Sequence, residues 1–278
     1  MHRVEEILVS STFFLLFSLV MFVPVEWLLQ ARKSRERAPL GDWLHFWVNT
    51  VVVAGSALTV MAFIGGAIRA SLPGSFRDWM DRQPLWEQLI LVVVLAELWS
   101  YWAHRLAHAI PFLWRFHRVH HSIEHMTWVS ALRQHPFDAI WIMAAANIPA
   151  FALGVDLRPL AAFILFERCY TILLHSNLDF TYGWFDHLFS STRFHHWHHD
   201  AGESGRNRNF AGMFSIFDTL FGTYQPTLRP PKSFGPPDLA PRPYWKQMLS
   251  PLQRESKSRF SNEAVQKPSS PDDLPDRA

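Results

Sequence analysis

A chain of 278 residues with a formal charge of +2 and one cysteine has room for one or two domains, and its near-neutral balance singles out no class of partner. The lone Cys169 excludes an internal disulfide and any four-cysteine metal or iron–sulfur site, and reads as a small buried hydrophobe. Hydrophobic residues make up 49% of the chain and gather in runs too long for ordinary core helices, which predicts membrane-spanning segments.

The first run, 7–29, follows Glu5 and Glu6 and has no small-x-small cleavage site before Arg32; it reads as a retained anchor rather than a secretory signal. A second run at 45–68 completes a transmembrane hairpin within 1–85. The third, 86–103, carries Glu97 and runs into His104 and His108. Those two histidines are i, i+4, so a helix presents both imidazoles on one face. Glu97 lies about two and three turns before them on that face. An ionisable group in a membrane segment marks function by default, here as a ligand or an outer-shell partner.

Next come His117, His120 and His121. His117 pairs with both followers at helical spacing, whereas His120 and His121 diverge by roughly 100° and can serve two different metals. His135, in Arg133-Gln134-His135-Pro136, is a ligand, an outer-shell residue or a helix cap. Two more apolar segments, 137–155 and 159–175, flank Asp156 and Arg158 and are either full crossings or a shallow hairpin. At the end of the second, His175-Ser176-Asn177 offers a further ligand in His175, with Asn177 as a ligand or outer-shell candidate. The last cluster repeats the earlier spacing as His195, His198 and His199. His196 is the alternative to His195 or an outer-shell group, and His125 and His187 read as surface or outer-shell residues. From 226 onward repeated prolines predict an extended, flexible tail over 226–278.

Thirteen of the fifteen histidines fall between 104 and 199. Neutral imidazole binds metal through one ring nitrogen, and eight clustered histidines exceed the three or four ligands of one tetrahedral site. A dinuclear centre is the economical reading, although imidazole ligation alone suits zinc, copper or nickel as well as iron. Basic residues after the first segment (Arg32, Lys33, Arg35, Arg37) and after the third (Arg105, Arg115, Arg118, Arg133) place both loops in the cytoplasm. A returning pair at 137–155 and 159–175 then brings all three clusters to that one membrane face. Twenty-one arginines against five lysines hint at a GC-rich bacterial genome, so a bacterial inner membrane is expected.

Residues 95–225 resemble the fatty acid hydroxylase / sterol desaturase superfamily. The resemblance rests on Tyr101-Trp-x-His-Arg-x-x-His108, Val119-His-His-Ser122, Arg133-x-His-Pro136, His175-Ser-Asn177, Asn209-Phe-Ala211 and Asp218-Thr-Leu-Phe-Gly-Thr223. It implies an all-α integral-membrane bundle whose cytoplasmic helical cap holds a dimetal site, with 86–225 as the histidine-box domain. It also implies two iron ions, with zinc conceivable in recovered protein, O2 as co-substrate and a lipid substrate that is hydroxylated or desaturated. The implied ligands are His104, His108, His117, His120, His121, His195, His198 and His199, with His175 in addition.

No G-x-G-x-x-G element or cysteine cluster is present to carry flavin, nicotinamide or iron–sulfur chemistry. Electrons are therefore expected from a separate donor, cytochrome b5-like, a ferredoxin or a reductase, and no nucleic acid is an expected partner. The competing reading is a non-oxidative membrane metalloprotein. A zinc hydrolase would lack the H-E-x-x-H element, and a metal transporter would hold its site near the bilayer midplane.

Overall fold

A computed structural model describes residues 2–32, 40–155, 157–202, 207–226, 228–235 and 243–252. Among them the secondary structure is helical, apart from one isolated bridge between Asp200 and Phe234. The long helices are α1 (His2–Leu29), α2 (Leu40–Ser71), α4 (Leu85–Ala109), α6 (Pro136–Leu153) and α7 (Leu157–His175); the short α3 (Gly74–Asp81) joins α2 to α4. Within the described residues, Glu5–Leu29, Leu85–Ala109 and Pro136–Leu153 are long and apolar enough to cross a membrane. Large apolar side chains such as Phe13, Val20, Trp27 and Phe63 are exposed on α1 and α2, as a lipid-facing surface requires.

Helix α6 is the axis of the bundle, with α2 and α4 packed along it. Small residues set the approach of α2: a Cβ on Gly65 would lie 2.4 Å from the Cβ of Phe151, a contact that only glycine avoids. The two apolar segments left open as crossings or a shallow hairpin are helices, α6 of 18 and α7 of 19 residues, and α6 is the one of the two among the candidate membrane spans. Gly154, at φ 73°, ends α6 in the left-handed conformation. That conformation costs an L side chain free energy and costs glycine little.

At the end of α4 the chain reverses at Ile110, whose extended backbone (φ −96°, ψ 116°) precedes Pro111. Proline disfavours a helical residue before it yet starts a helix well, so α5 (Pro111–His121) begins at once and folds back toward α4. The remaining cap comprises 3-10 turns at Trp128–Leu132 and Gly183–His187, α8 (Thr192–His198) and α9 (Ile216–Leu220).

Of the tail expected to be flexible, residues 227, 236–242 and 253–278 lie outside the described residues, and one described stretch is helical. Residues 244–249 form α10 (Tyr244–Leu249), started by Pro243 and followed by a 3-10 turn. It docks by a bond between His45 Nε2 and Gln247 Oε1 (2.7 Å), by Tyr244 packed edge-on to His45, and by Arg118 Nη2 donating to the Ser250 carbonyl (2.8 Å). Read as disorder, these prolines instead include one at a helix start, where a missing N–H costs nothing. Lys33, Arg35, Arg37 and Asp156, used in the topology argument, lie outside the described residues.

Candidate metal centre

Four helix ends converge under the cap. His104 and His108 come from the last turns of α4, His117, His120 and His121 from α5, His175 from the end of α7, and His195, His198 and His199 from α8 and its C-cap. All but His104 and His108 are buried. They sort into two groups, each with ligand atoms within 4.8 Å of one another: His104, His108, His117, His121 and His198 in the first, His120, His175, His195 and His199 in the second. Adjacent pairs on one helix are divided between the groups, His121 from His120 and His198 from His199, as their angular divergence on a helix dictates. The groups adjoin, with His121 and His199 stacked at 4.5 Å between centroids.

The hydrogen bonds decide which ring nitrogen faces inward. His104 Nδ1 meets the Phe210 carbonyl (2.6 Å), His120 Nδ1 the Arg133 carbonyl (3.1 Å), His175 Nδ1 the Thr171 carbonyl (2.8 Å) and His198 Nδ1 the Arg208 carbonyl (2.8 Å). His117 Nδ1 lies 3.1 Å from both oxygens of Asp138. A carbonyl or carboxylate only accepts, so each Nδ1 carries the proton and each Nε2 bears a bare lone pair.

Bare nitrogens nevertheless face each other. His104 and His117 have Nε2 atoms 3.1 Å apart, and His120 and His175 likewise 3.1 Å. Two lone pairs at that distance cannot hydrogen-bond; they repel unless a cation lies between them. Two imidazole nitrogens bound at right angles to one ion at about 2.1 Å would stand roughly 3.0 Å apart. Further ring nitrogens are buried without any partner: Nε2 of His108, His121 and His198, Nδ1 of His195, and both nitrogens of His199. Each would cost about 1–3 kcal/mol if left unsatisfied, so the donor set fits a pair of metal ions.

Electrostatics match. Burial, reinforced by neighbouring imidazoles, holds His120, His121, His195 and His199 well below the ordinary histidine range. Burial pushes His198 down to about 3. These rings are neutral at physiological pH, the state a metal needs.

Four residues considered for the site lie outside both groups. Glu97 is buried, but its Oε2 accepts from the backbone N–H groups of Met213 (3.1 Å) and Phe214 (3.2 Å), which clamps the loop that presents the Phe210 carbonyl to His104. His135 caps α6, its Nδ1 accepting from Phe137 N (3.1 Å). Asn177 pairs with the backbone of Arg32 at the end of α1. His196 turns away to the Ser176 carbonyl (3.0 Å), so His195 is the member of its pair that points inward.

Two acids that the spacing did not single out support the centre. Asp218 accepts from Phe210 N and Ala211 N, both 2.8 Å, and from Thr223 Oγ1 (2.6 Å), which explains why Asn-Phe-Ala and Asp-Thr-Leu-Phe-Gly-Thr occur as a pair. Asp42, at the start of α2, holds buried Arg133 through two bonds of 2.6 and 3.1 Å, fixing the carbonyl that orients His120.

Residues 89–223 match the family model described as fatty acid hydroxylase. An ornithine lipid hydroxylase of Rhizobium tropici is 33% identical over 183 residues, 66% of this chain and 55% of that protein. An alkylglycerol monooxygenase of Danio rerio is 32% identical over 128 residues, 45% of this chain and 28% of its own. A very-long-chain aldehyde decarbonylase of Oryza sativa subsp. indica is 29% identical over 143 residues, 50% of this chain and 55% of its own. The chain thus spans about half the length, or less, of the curated relatives it matches. No solved structure matches it significantly.

Proposed function

Residues 89–223 belong to the fatty acid hydroxylase family, and from that premise we propose that the chain is a membrane-bound oxygenase that hydroxylates or desaturates a lipid. The observation that carries this reading is the pair of histidine groups, nine imidazoles with their ligand atoms gathered within 4.8 Å in each group. We assign them as the ligands of two iron ions. Bound there, the ions would supply activation of O2 for attack on an unactivated C–H bond. Electrons come from a separate donor protein.

The chain's own residues hold that chemistry in place. Nδ1 contacts to Phe210, Arg133, Thr171, Arg208 and Asp138 fix the ring tautomers and planes, so the Nε2 lone pairs are preorganised. Phe210 lies against His104, His108 and His198, and Trp114 against His108 and His121; these faces keep water from the centre.

Neither group contains a carboxylate among the described residues, and Asp138 is engaged by His117. An oxidative role is favoured by the relatives, which are named as a hydroxylase and a monooxygenase. Relatives named for an ornithine lipid and for alkylglycerols make a polar membrane lipid the proposed substrate class. The clusters are assigned to the cytoplasmic face of a bacterial inner membrane. Iron-loaded protein given an electron donor, total membrane lipid and isotopically labelled dioxygen should yield an oxidised lipid, with the label retained in it where hydroxylation is the outcome. Turnover that proceeds unchanged without oxygen would contradict the proposal.

A further inference from the structure

A cavity of about 410 Å³ lies between α1, α2, α6 and α7. Its wall includes Leu132 and Gln134, which flank the Arg133 that orients His120, Ala139 beside the Asp138 that orients His117, and Thr171, whose carbonyl orients His175. It therefore backs onto the supports of both histidine groups. From there it follows α7 away from the centre past Glu167 and Ile164, so Glu167 lies eight residues, or about 12 Å of helix, from His175. Phe14, Phe46, Ile142 and Met143 give the cavity apolar walls. Its size falls in the range of small-molecule sites, roughly 300–1,000 Å³.

One polar group in this wall is a buried acceptor without a partner, and a second, Glu167, lines both this cavity and a smaller one that Glu97 also lines. Asn49 gives its Nδ2 hydrogen to the Gln134 carbonyl (3.0 Å), while its Oδ1 is buried with no partner. Glu167 lines the same cavity, and its carboxyl makes no hydrogen bond among the described residues. Its neighbour Arg168, also in the wall, reaches across to Met143 Sδ (3.9 Å). An unfilled acceptor inside a lipid-facing bundle is costly, and with a carboxyl farther along the same wall it calls for a ligand that brings hydrogens.

We propose that this cavity is the substrate-recognition site of the oxygenase and selects a long-chain lipid bearing a hydrogen-bond donor, a hydroxyl, amide N–H or ammonium, read by Asn49 Oδ1 and Glu167. The inference rests on the function proposed above and names its substrate class. Asn49, bonded to the Gln134 carbonyl beside Arg133, stands at the histidine end of the cavity, and Glu167 lies farther along α7. Lipids of equal length whose polar part only accepts hydrogen bonds are discriminated against, since they leave both acceptors bare.

The test is equilibrium binding of 1-hexadecanol and of hexadecyl methyl ether to the full chain in detergent, metal-free and iron-loaded. The pair shares its chain and its oxygen and differs in the donor. The alcohol should bind about tenfold tighter, with or without metal, and Asn49→Leu should bring the two affinities together by weakening the alcohol alone. Glu167→Gln, which keeps an acceptor, should retain part of the preference, while Glu167→Leu should lose it; metal content reports that the variants fold. Equal binding of the two probes by the wild type, or a preference that survives both leucine variants, would overturn the proposal. Preference without oxidation of any lipid would leave this site standing and sink the oxygenase reading, whereas oxidation without preference would do the reverse.

Discussion

His120 and His175 face each other with bare Nε2 atoms 3.1 Å apart, each ring having committed its Nδ1 proton to a backbone carbonyl. His175 Nε2 also lies 3.0 Å from His195 Nε2, and a cation among the three rings would meet these nitrogens together. Replacing one member should therefore remove the need for the ion rather than unfold the chain. His175→Ala is expected to lower bound metal from two ions per chain toward one while membrane insertion is unchanged, measured by elemental analysis of purified protein. Full occupancy in that variant would remove His175 from the ligand set.

Asp138 and His117 set a second test. The carboxylate fixes the His117 tautomer, and loss of such a support weakens metal affinity by about 10–100-fold. Asp138→Asn should show a fall of that size in a competitive chelator titration, with the first group of five histidines losing its ion before the second.

Glu97 is assigned to the protein frame, not to the ions. Glu97→Ala strands the N–H groups of Met213 and Phe214 and should lower stability by about 1–3 kcal/mol for each, read by thermal unfolding in detergent. Glu97→Gln preserves an acceptor oxygen and should keep both ions. A Glu97→Gln protein that folds normally but loses one ion would make Glu97 a ligand.

The buried pair Asp42–Arg133 (2.6 Å; Asp42 1% and Arg133 4% exposed) gives a larger effect. Removing one partner of such a pair leaves an uncompensated buried charge, at a cost of about 3–5 kcal/mol. Asp42→Ala should thus be more destabilising than Asp138→Asn by chemical denaturation, although Asp42 touches no imidazole.

Acid supplies a prediction with a definite sign. In the folded metal-free chain, burial keeps His198 near 3 and His196 near 3, whereas the same side chains unfolded titrate near 6.5. Between those values the unfolded chain binds more protons, so stability is fully present above about pH 6.5 and falls as pH drops toward 3. Unfolding of metal-free protein followed from pH 8 to pH 4 should show the decline beginning near 6.5. Metal-loaded protein should hold out to lower pH, because bound ions keep the rings deprotonated.

Eight of the nine inward histidines were legible because helical spacing is a local property: three and four residues apart means one face, and one residue apart means divergence, which the division of His120 from His121 reproduces; His175 was marked instead by its place at the end of an apolar segment. Glu97 was visible as an ionisable group in an apolar helix, yet its role was not, since Met213 and Phe214 lie 116 and 117 residues away. Asp42 gave no signal for the same reason, its partner standing 91 residues along the chain. The docking of α10 was hidden by its prolines, because composition does not tell a proline that starts a helix from one in an open tail. Long-range hydrogen bonds, not local pattern, fix how the imidazoles are held.

The central claim is that imidazoles alone hold two ions side by side, and X-ray absorption of the iron-loaded chain tests it most directly. The expected spectrum has a first shell dominated by imidazole nitrogens near 2.1 Å, at a loading of two irons per chain. A first shell without the multiple scattering of imidazole rings, at any loading, would contradict it.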